Sequence, residues 1–324
     1  MKSILVAGGA GYIGSHTVKE LIKQKYSVII YDNLSSGHKW AVDKKAKLVV
    51  GDLLDTKKLE DTLKKFKPQA VIHFAGVIEV GESVENPHKY YINNVVGTLS
   101  LLEAMINAKV HNIVFSSSAA VYGNPVTTPI KESDLKEPTN PYGHTKKIIE
   151  DILYDYSVAY GINSVSLRYF NAAGADKTGD IGESHNPETH LIPRVLNSLI
   201  EEEEIGIFGC SYKTSDGTCL RDYIHVDDLA QAHILAIKYL KSNKGKFAFN
   251  LGSGAGFTVK EVIKSAENVT NKKAKISVKP RRQGDPTTLL ADITKAKKEL
   301  RWSPKYSDID YILETAWHWE QNKK

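Results

Sequence analysis

The sequence predicts an α/β protein, with a doubly wound parallel sheet followed by a smaller C-terminal α/β lobe. Three observations carry that prediction. Short apolar runs alternate with segments of helical period through the first half of the chain. Those runs are apolar throughout, as in strands covered by helices on both faces. A glycine-rich turn closes the first run and opens the first helix.

Taken in order, "SILVAG" (3–8) reads as a buried strand and "YIGSHTVKELIKQ" as the helix after it. "SVIIYD" (27–32) and "KLVVGD" (47–52) are the second and third strands, and "TKKLEDTLKKF" is a helix. "AVIHFAG" (70–76) is the fourth strand, "YYINNVVGTLSLLEAMINA" a long helix, and "NIVFSSS" (112–118) the fifth strand. A helix beginning near "NPYGHTKKIIE" leads to a sixth strand, "NSVSLRYF" (163–170). The pattern breaks there. "NAAGADKTGDIGESHNPETH" is polar and rich in turn residues, and reads as a long loop into a second lobe. The boundaries expected are therefore 1–170 and 171–324, with a strand and helix around 221–245 returning to the first lobe.

The bulk numbers agree with a globular chain. Its 324 residues are 41% hydrophobic and 25% charged, with a net charge of +5. The lysines are spread along the whole chain, so no nucleic-acid partner is expected. No apolar run approaches the ~20 residues that span a bilayer, so no membrane partner is expected either. Cys210 and Cys219 build no disulfide framework, and no metal-ligand spacing surrounds them. The opening residues run into a strand and a glycine turn rather than a signal peptide, so a cytoplasmic protein without a bound metal is expected.

"VAGGAGYIGSH" fits two glycine registers, Gly9-x-Gly11-x-x-Gly14 and Gly8-x-x-Gly11-x-x-Gly14. Either lets the backbone approach a pyrophosphate at a helix N-terminus, where side chains would block it. Glycine turns also serve packing alone. Here a strand precedes, a helix follows, and an acid, Asp32, ends the next strand. A carboxylate there can bond both ribose hydroxyls of NAD and would repel the 2′-phosphate of NADP, which favours NAD. The plainer reading is a strand-end aspartate. Asp52 and Leu53 end the third strand, where they could flank an adenine.

Tyr142 and Lys146 stand four apart on a predicted helix, so both can reach one point. A phenol of reference pKa about 10 is lowered by a nearby ammonium, and so can accept an alcohol proton. Alone, the pair reads more readily as two surface side chains, because a tyrosine four before a lysine is common by chance. Ser118 changes the balance, because it follows the fifth strand at the carboxyl edge where such sheets bind ligands. Three parts of a hydride-transfer site then occur together on a Rossmann-type fold.

At this point the chain resembles the extended short-chain dehydrogenase/reductase family, and within it the UDP-glucose 4-epimerases. The resemblance covers nearly the whole chain and rests on "GGAGYIGSH", "DNLSSG", "HFAG", "EVGES", "YYINNVVGT", "SSSAAVYG", "YGHTK", "RYFNAAGA", "DGTCLRDYIHVDDLA" and "RRQGDP". It implies an isomerase that inverts C4 of a UDP-hexose through a 4-keto sugar, with hydride passing to and from tightly held NAD. Tyr142 would be the acid/base, Ser118 would shuttle the proton, and Lys146 would hold the nicotinamide ribose and tune Tyr142.

The resemblance places other residues too. Gly8, Gly11, Gly14, Tyr12 and Ile13 would hold the pyrophosphate. Asp32, Asn33, Leu34, Ser35, Ser36 and Gly37 would wrap the adenosine ribose. Phe74, Ala75 and Gly76 would line the cofactor channel with Asn93 and Ser116. Tyr169, Phe170 and Asn171 would lie between nicotinamide and sugar, with His190 and Leu191 at the pocket wall. Arg221 and Arg282 would clamp the UDP diphosphate, and Asp285 a uridine ribose hydroxyl. Family members are generally homodimers, pairing the helices around 89–108 and 142–160.

Some positions depart from the family pattern. Ile78 stands where several members carry a lysine, and Thr189 and His190 where members often show asparagines. Related 4,6-dehydratases carry an Asp-Glu pair after the strand-end Ser/Thr, where this chain has Ala119 and Ala120. A uronate or pentose 4-epimerase is a nearer rival. A non-catalytic NAD-binding regulator would lose the tyrosine or the lysine, and both are present. Leu289 aligns where hexose-restricted members place a tyrosine, leaving room for an N-acetyl group. Leu289→Tyr should therefore abolish UDP-GlcNAc/UDP-GalNAc interconversion and spare the hexose reaction. Equal loss of both in a two-substrate assay would overturn that reading.

Overall fold

The structure is a computed structural model, and it describes residues 2–282 and 285–323. Gln283 and Gly284 of the "RRQGDP" motif lie outside the described residues. Six strands appear where the sequence places them: β1 (Ser3–Ala7), β2 (Ser27–Asp32), β3 (Lys47–Val50), β4 (Ala70–His73), β5 (Asn112–Ser118) and β6 (Asn163–Tyr169). With β10 (Lys246–Leu251) they form one parallel sheet in the order β10-β6-β5-β4-β1-β2-β3. The chain reverses direction across the sheet between β1 and β4, and such a switch point opens a crevice at the carboxyl ends of the strands.

Strand geometry sends alternate residues to opposite faces. Ile4 and Val6 of β1, with Val28 and Ile30 of β2, join the layer under α1 (Tyr12–Lys23) and α8 (Val226–Leu240). Leu5, Ala7, Ile29 and Tyr31 join the opposite layer, under α2 (Thr56–Phe66), α5 (Gly97–Asn107) and α6 (Pro141–Tyr160). That two-sided burial is why these strands read as unbroken apolar runs. Between β4 and α5 run α3 (Val80–Glu85), α4 (Pro87–Tyr90) and a π-helical turn, Tyr91–Val96.

The return of the chain differs from the sequence expectation in one detail. The strand read near 221, β9 (Leu220–His225), does not join the large sheet. It pairs with β7 (Asn171–Ala173), β11 (Gly256–Thr258) and β13 (Thr288–Leu289). The helix after it, α8, does pack on α1, and β10 completes the sheet beside β6. "KFAFNL" escaped notice because it is short and begins half-exposed after a polar turn. The second lobe is finished by α7 (Leu191–Glu201), the β8 (Glu204–Phe208) and β12 (Lys275–Lys279) pair, α9 (Val259–Thr270) and α10 (Ile309–Asn322). Its core is Val195, Leu196, Leu199, Val262, Ile263, Ile312 and Leu313.

A buried polar network locks α6 to the sheet. Arg168 of β6 forks onto Glu150 of α6, with Nε–Oε1 at 2.8 Å and Nη2–Oε2 at 2.6 Å. Ser117 Oγ donates to the same Oε1 at 2.7 Å. Arg168 Nη1 reaches the Tyr122 hydroxyl at 2.8 Å, and that hydroxyl donates to Asn250 Oδ1 of β10 at 2.6 Å. Burial pushes the Glu150 carboxyl upward, but the Arg168 fork and Ser117 outweigh it and hold the group below its ordinary value. Removing one member of such a pair strands the other without a counter-charge. Glu150→Ala should cost about 3–5 kcal/mol, read as a lower urea midpoint. A loss under about 1 kcal/mol, the size of a surface pair, would contradict it.

Candidate active site

The glycine turn sits at the sheet's switch point, between the ends of β1 and β4. Gly8 has φ of +79°, and a Cβ there would meet Ala75 N at 2.5 Å. A Cβ on Gly14 would meet Gly8 O at 2.2 Å. These two glycines are demanded by packing. Gly11 is different: a Cβ there would find only Gly8 O, at 3.5 Å. It is the N-cap of α1 and offers no side chain to cap the helix, so the first amides of Tyr12 and Ile13 face an open approach. An anion fits that position through the amides and the helix dipole. The Gly8-x-x-Gly11-x-x-Gly14 register thus divides between packing and ligand access.

Asp32 at the end of β2 is nearly enclosed. Its Oδ2 accepts from Ala10 N at 2.9 Å and its Oδ1 from Leu34 N at 2.8 Å. The carboxylate therefore ties the glycine turn to the 32–37 loop, and each oxygen keeps a lone pair for a hydroxyl. Gly37 belongs there because a Cβ would press on Asp32 Oδ1 at 2.9 Å. Leu34 adopts φ of +61°, and Asn33 accepts from Ser35 N at 3.0 Å and donates to Asp52 Oδ2 at 2.7 Å. Asn33, Leu34, Ser35, Ser36 and Asp52 thus line one rim, with Leu53 buried beneath.

Across the crevice, Phe74 N and Ala75 N both donate to Ala7 O, at 2.8 and 3.0 Å. Gly76 follows with φ of +157°, where a Cβ would strike Asn94 Oδ1 at 2.8 Å. Asn94 is the residue that sequence reasoning missed. Its amide accepts from Val77 N at 2.9 Å, donates to Val77 O at 3.0 Å and to Thr145 Oγ1 at 3.1 Å. It therefore joins the 76–77 loop to the helix bearing Tyr142. The predicted Asn93, half-buried, donates to Lys89 O at 2.8 Å through its Nδ2, which leaves its Oδ1 to accept from a ligand. The "NN" pair was visible in the sequence, but only the π-helical turn decides which asparagine faces inward.

Ser118, Tyr142 and Lys146 converge. Ser118 caps a short turn, its Oγ accepting from Ala120 N at 3.1 Å. That bond occupies a lone pair and leaves the hydroxyl proton to be donated. The Ser118 hydroxyl stands close enough to the Tyr142 phenol to offset part of the effect of its burial. Lys146 is buried, donates to Ser116 O at 2.7 Å, and lies 5.7 Å from the centre of the Tyr142 ring. Burial lowers the Lys146 ammonium to about 8. Burial also raises the Tyr142 phenol, offset in part by Ser118. The lowering by Lys146 expected from the sequence does not appear in the protein alone. Desolvation of the phenolate dominates, and the ammonium is engaged with Ser116 O. The Tyr169 hydroxyl bonds Ser116 Oγ, and burial pushes that phenol up as well.

The substrate-side residues are brought to the same mouth less uniformly. Phe170 and Leu289 pack against Ala119, Val121 and Tyr122, just beyond Ser118. Asn171 donates to Asp222 O at 2.9 Å. Arg221 forms an ion pair with Asp285, whose other oxygen accepts from Tyr212 at 3.0 Å. Arg282 stacks its guanidinium 3.9 Å from the centre of the Phe208 ring. His190 caps α7, which begins at Leu191, and pairs with Glu183. Burial opposes protonation of His190, but the Glu183 hydrogen bond and charge prevail and raise it to about 9.

This geometry defines a nucleotide-binding oxidoreductase-type crevice with a Ser/Tyr/Lys set at its mouth, and comparison places it in a family. The model of the NAD dependent epimerase/dehydratase family matches residues 4–252, and the chain belongs to that family. A UDP-glucose 4-epimerase of Rhizobium meliloti is 49% identical, covering 99% of this chain and 98% of its own. The crystal structure of a Brucella ovis UDP-glucose 4-epimerase in complex with NAD superposes with TM-score 0.96 at 49% identity, covering 98% of each chain. The UDP-Glc/GlcNAc 4-epimerase of Campylobacter jejuni superposes with TM-score 0.88 at 41% identity, covering 99% of each chain.

Proposed function

We propose that the chain inverts C4 of UDP-hexoses, interconverting UDP-galactose and UDP-glucose with NAD held in the crevice. The observation that carries this reading is that Ser118 at the end of β5 and the Tyr142–Lys146 pair of α6 stand at the carboxyl edge of the sheet, the edge at which α1 presents its open N-terminus. Full-length relatives near 49% identity with that activity support it. The residues present fit the cofactor: Gly11 keeps the α1 amides clear for a pyrophosphate, and Asp32 retains lone pairs for ribose hydroxyls. When bound, NAD supplies the hydride acceptor and a positive charge at its oxidised ring.

The chain's own groups then handle the proton. Tyr142 takes the proton of the sugar 4-hydroxyl and returns it after C4 has inverted. Its raised value in the protein alone means that it starts protonated, and ionises as the site gains positive charge. Ser118 donates to the same oxygen and relays the proton. Lys146, buried and directed at Ser116 O, adds a charge that water does not screen. Ala119 and Ala120 offer no acid or base for elimination, which separates this reading from a dehydratase. Leu289 leaves the pocket wall beside Phe170 without a phenol ring, and this supports acceptance of N-acetylhexoses too.

The homodimer and the cytoplasmic setting belong to the same proposal. Tyr154, Val158 and Tyr160 stand exposed on α6, Val158 by 75%. An apolar face of this kind marks an interface. Among the described residues no helix is long and apolar enough to cross a membrane, and both cysteines are free thiols, as in a reducing compartment.

Proton NMR of the anomeric signals tests the reaction. Protein mixed with UDP-galactose, without added NAD, should generate UDP-glucose, and Tyr142→Phe should slow this by about 10²–10⁴-fold while NAD stays bound. Unchanged turnover in the variant removes Tyr142 from the mechanism. For the dimer, sedimentation should give about twice the 35.9 kDa chain mass, and Val158→Glu should shift it toward one chain. A monomeric parent protein defeats that part.

A further inference from the structure

Among the described residues, Glu183, His185, Glu188 and His190 each bring one donor atom to within 4.8 Å of the others. Their spacing, Glu-x-His-x-x-Glu-x-His, puts all four on one segment between β7 and α7. The sequence reading sought ligand spacing only around the cysteines and passed over it. His185 Nδ1 lies 3.2 Å from Glu183 Oε1 and 3.8 Å from Glu188 Oε2. His190 Nδ1 lies 3.7 Å from Glu188 Oε1 and closer still to Glu183 Oε1. In a tetrahedral zinc site with bonds of about 2.0–2.1 Å, neighbouring donors stand roughly 3.3–3.5 Å apart. Three of these separations bracket that span, and His190 Nδ1 need only draw back from Glu183 Oε1 for the four to surround an ion.

Glu183 is the fixed corner. It is 5% exposed, and its backbone carbonyl accepts from Trp319 Nε1 at 2.7 Å. A carboxylate buried that deeply needs positive charge beside it. Both imidazoles aim their Nδ1 at one of its oxygens. Two imidazole nitrogens with two carboxylates suit a borderline transition metal, whereas calcium and magnesium take oxygen donors. The surroundings hold the segment from both lobes. His38 Nε2 meets Ser184 O at 3.0 Å, and the His185 ring stands edge-on to Tyr12 at 6.4 Å.

We propose that Glu183, His185, Glu188 and His190 bind one zinc-type dication, which staples the 183–190 segment between the glycine turn and α7. Each imidazole must present an unprotonated nitrogen to the ion, so affinity falls as pH falls.

Purified protein, dialysed against a chelator, is titrated with zinc chloride by calorimetry and with cobalt(II) by visible absorption. One ion per chain is expected, with tetrahedral cobalt bands and a thermal midpoint that rises with zinc. Glu183→Gln and His185→Asn should each weaken binding by about 100-fold or more, the scale of disrupting a metal site. His185→Asn removes a less buried corner and keeps the test decisive if Glu183→Gln impairs folding. Absence of stoichiometric zinc binding, or binding that survives His185→Asn unchanged, overturns the proposal.

Discussion

The fork between Arg168 and Glu150 is the constraint on which the site's geometry rests. Glu150 lies one turn beyond Lys146 on α6, and Ser117, which also serves Glu150, directly precedes Ser118. One buried ion pair thus sets the height of α6 against β5. That height decides where the Tyr142 phenol stands relative to the Ser118 hydroxyl. Asn250 and Tyr122 extend the grip to β10, so the last strand to join the sheet also steadies the turn that follows Ser118. A buried charge pair contributes little net stability compared with apolar packing. Its value here is positional, because a directional fork permits one docking of the helix and apolar packing permits several.

Two buried aspartates serve the second lobe in a similar way. Asp222 accepts from Ser253 N, Ser253 Oγ, Gly254 N and Ala291 N. It thereby gathers the end of β10 and the residues after β13 around β9. Asp228 accepts from Lys305 N, Tyr306 N and Ser307 Oγ, fixing the approach to α10. Each satisfies several backbone donors that no ladder reaches, as buried loop amides require. The second lobe is assembled from short strands and long loops, and these carboxylates supply the order that a continuous sheet supplies elsewhere.

The large sheet was legible because its strands are buried on both faces and its helices carry clear periodicity. Ser118, Tyr142 and Lys146 were legible for a related reason: helix spacing and strand ends translate directly into positions. Where reading failed, the information was non-local. "KFAFNL" looks like any short edge segment, and only its pairing with β6 shows that it closes the sheet. Asn94 and Asn93 are chemically identical neighbours, and a π-helical turn, invisible in composition, separates their roles. The upward shift of Tyr142 was missed because spacing reveals the ammonium four residues away but not the depth of burial around the phenol.

The π-helical turn at Tyr91–Val96 carries a consequence for how this chain can change length. Such a turn holds one residue more than the α-helical path would need. Deleting a single residue from it would leave a plain α-helix with both flanks still in register, but would remove the wide turn that sets Asn94 inward. Asn94 would then leave the Val77 loop, while the apolar face of α5 kept its place on the sheet. The turn thus sets where Asn94 meets the Val77 loop without moving the helix that follows.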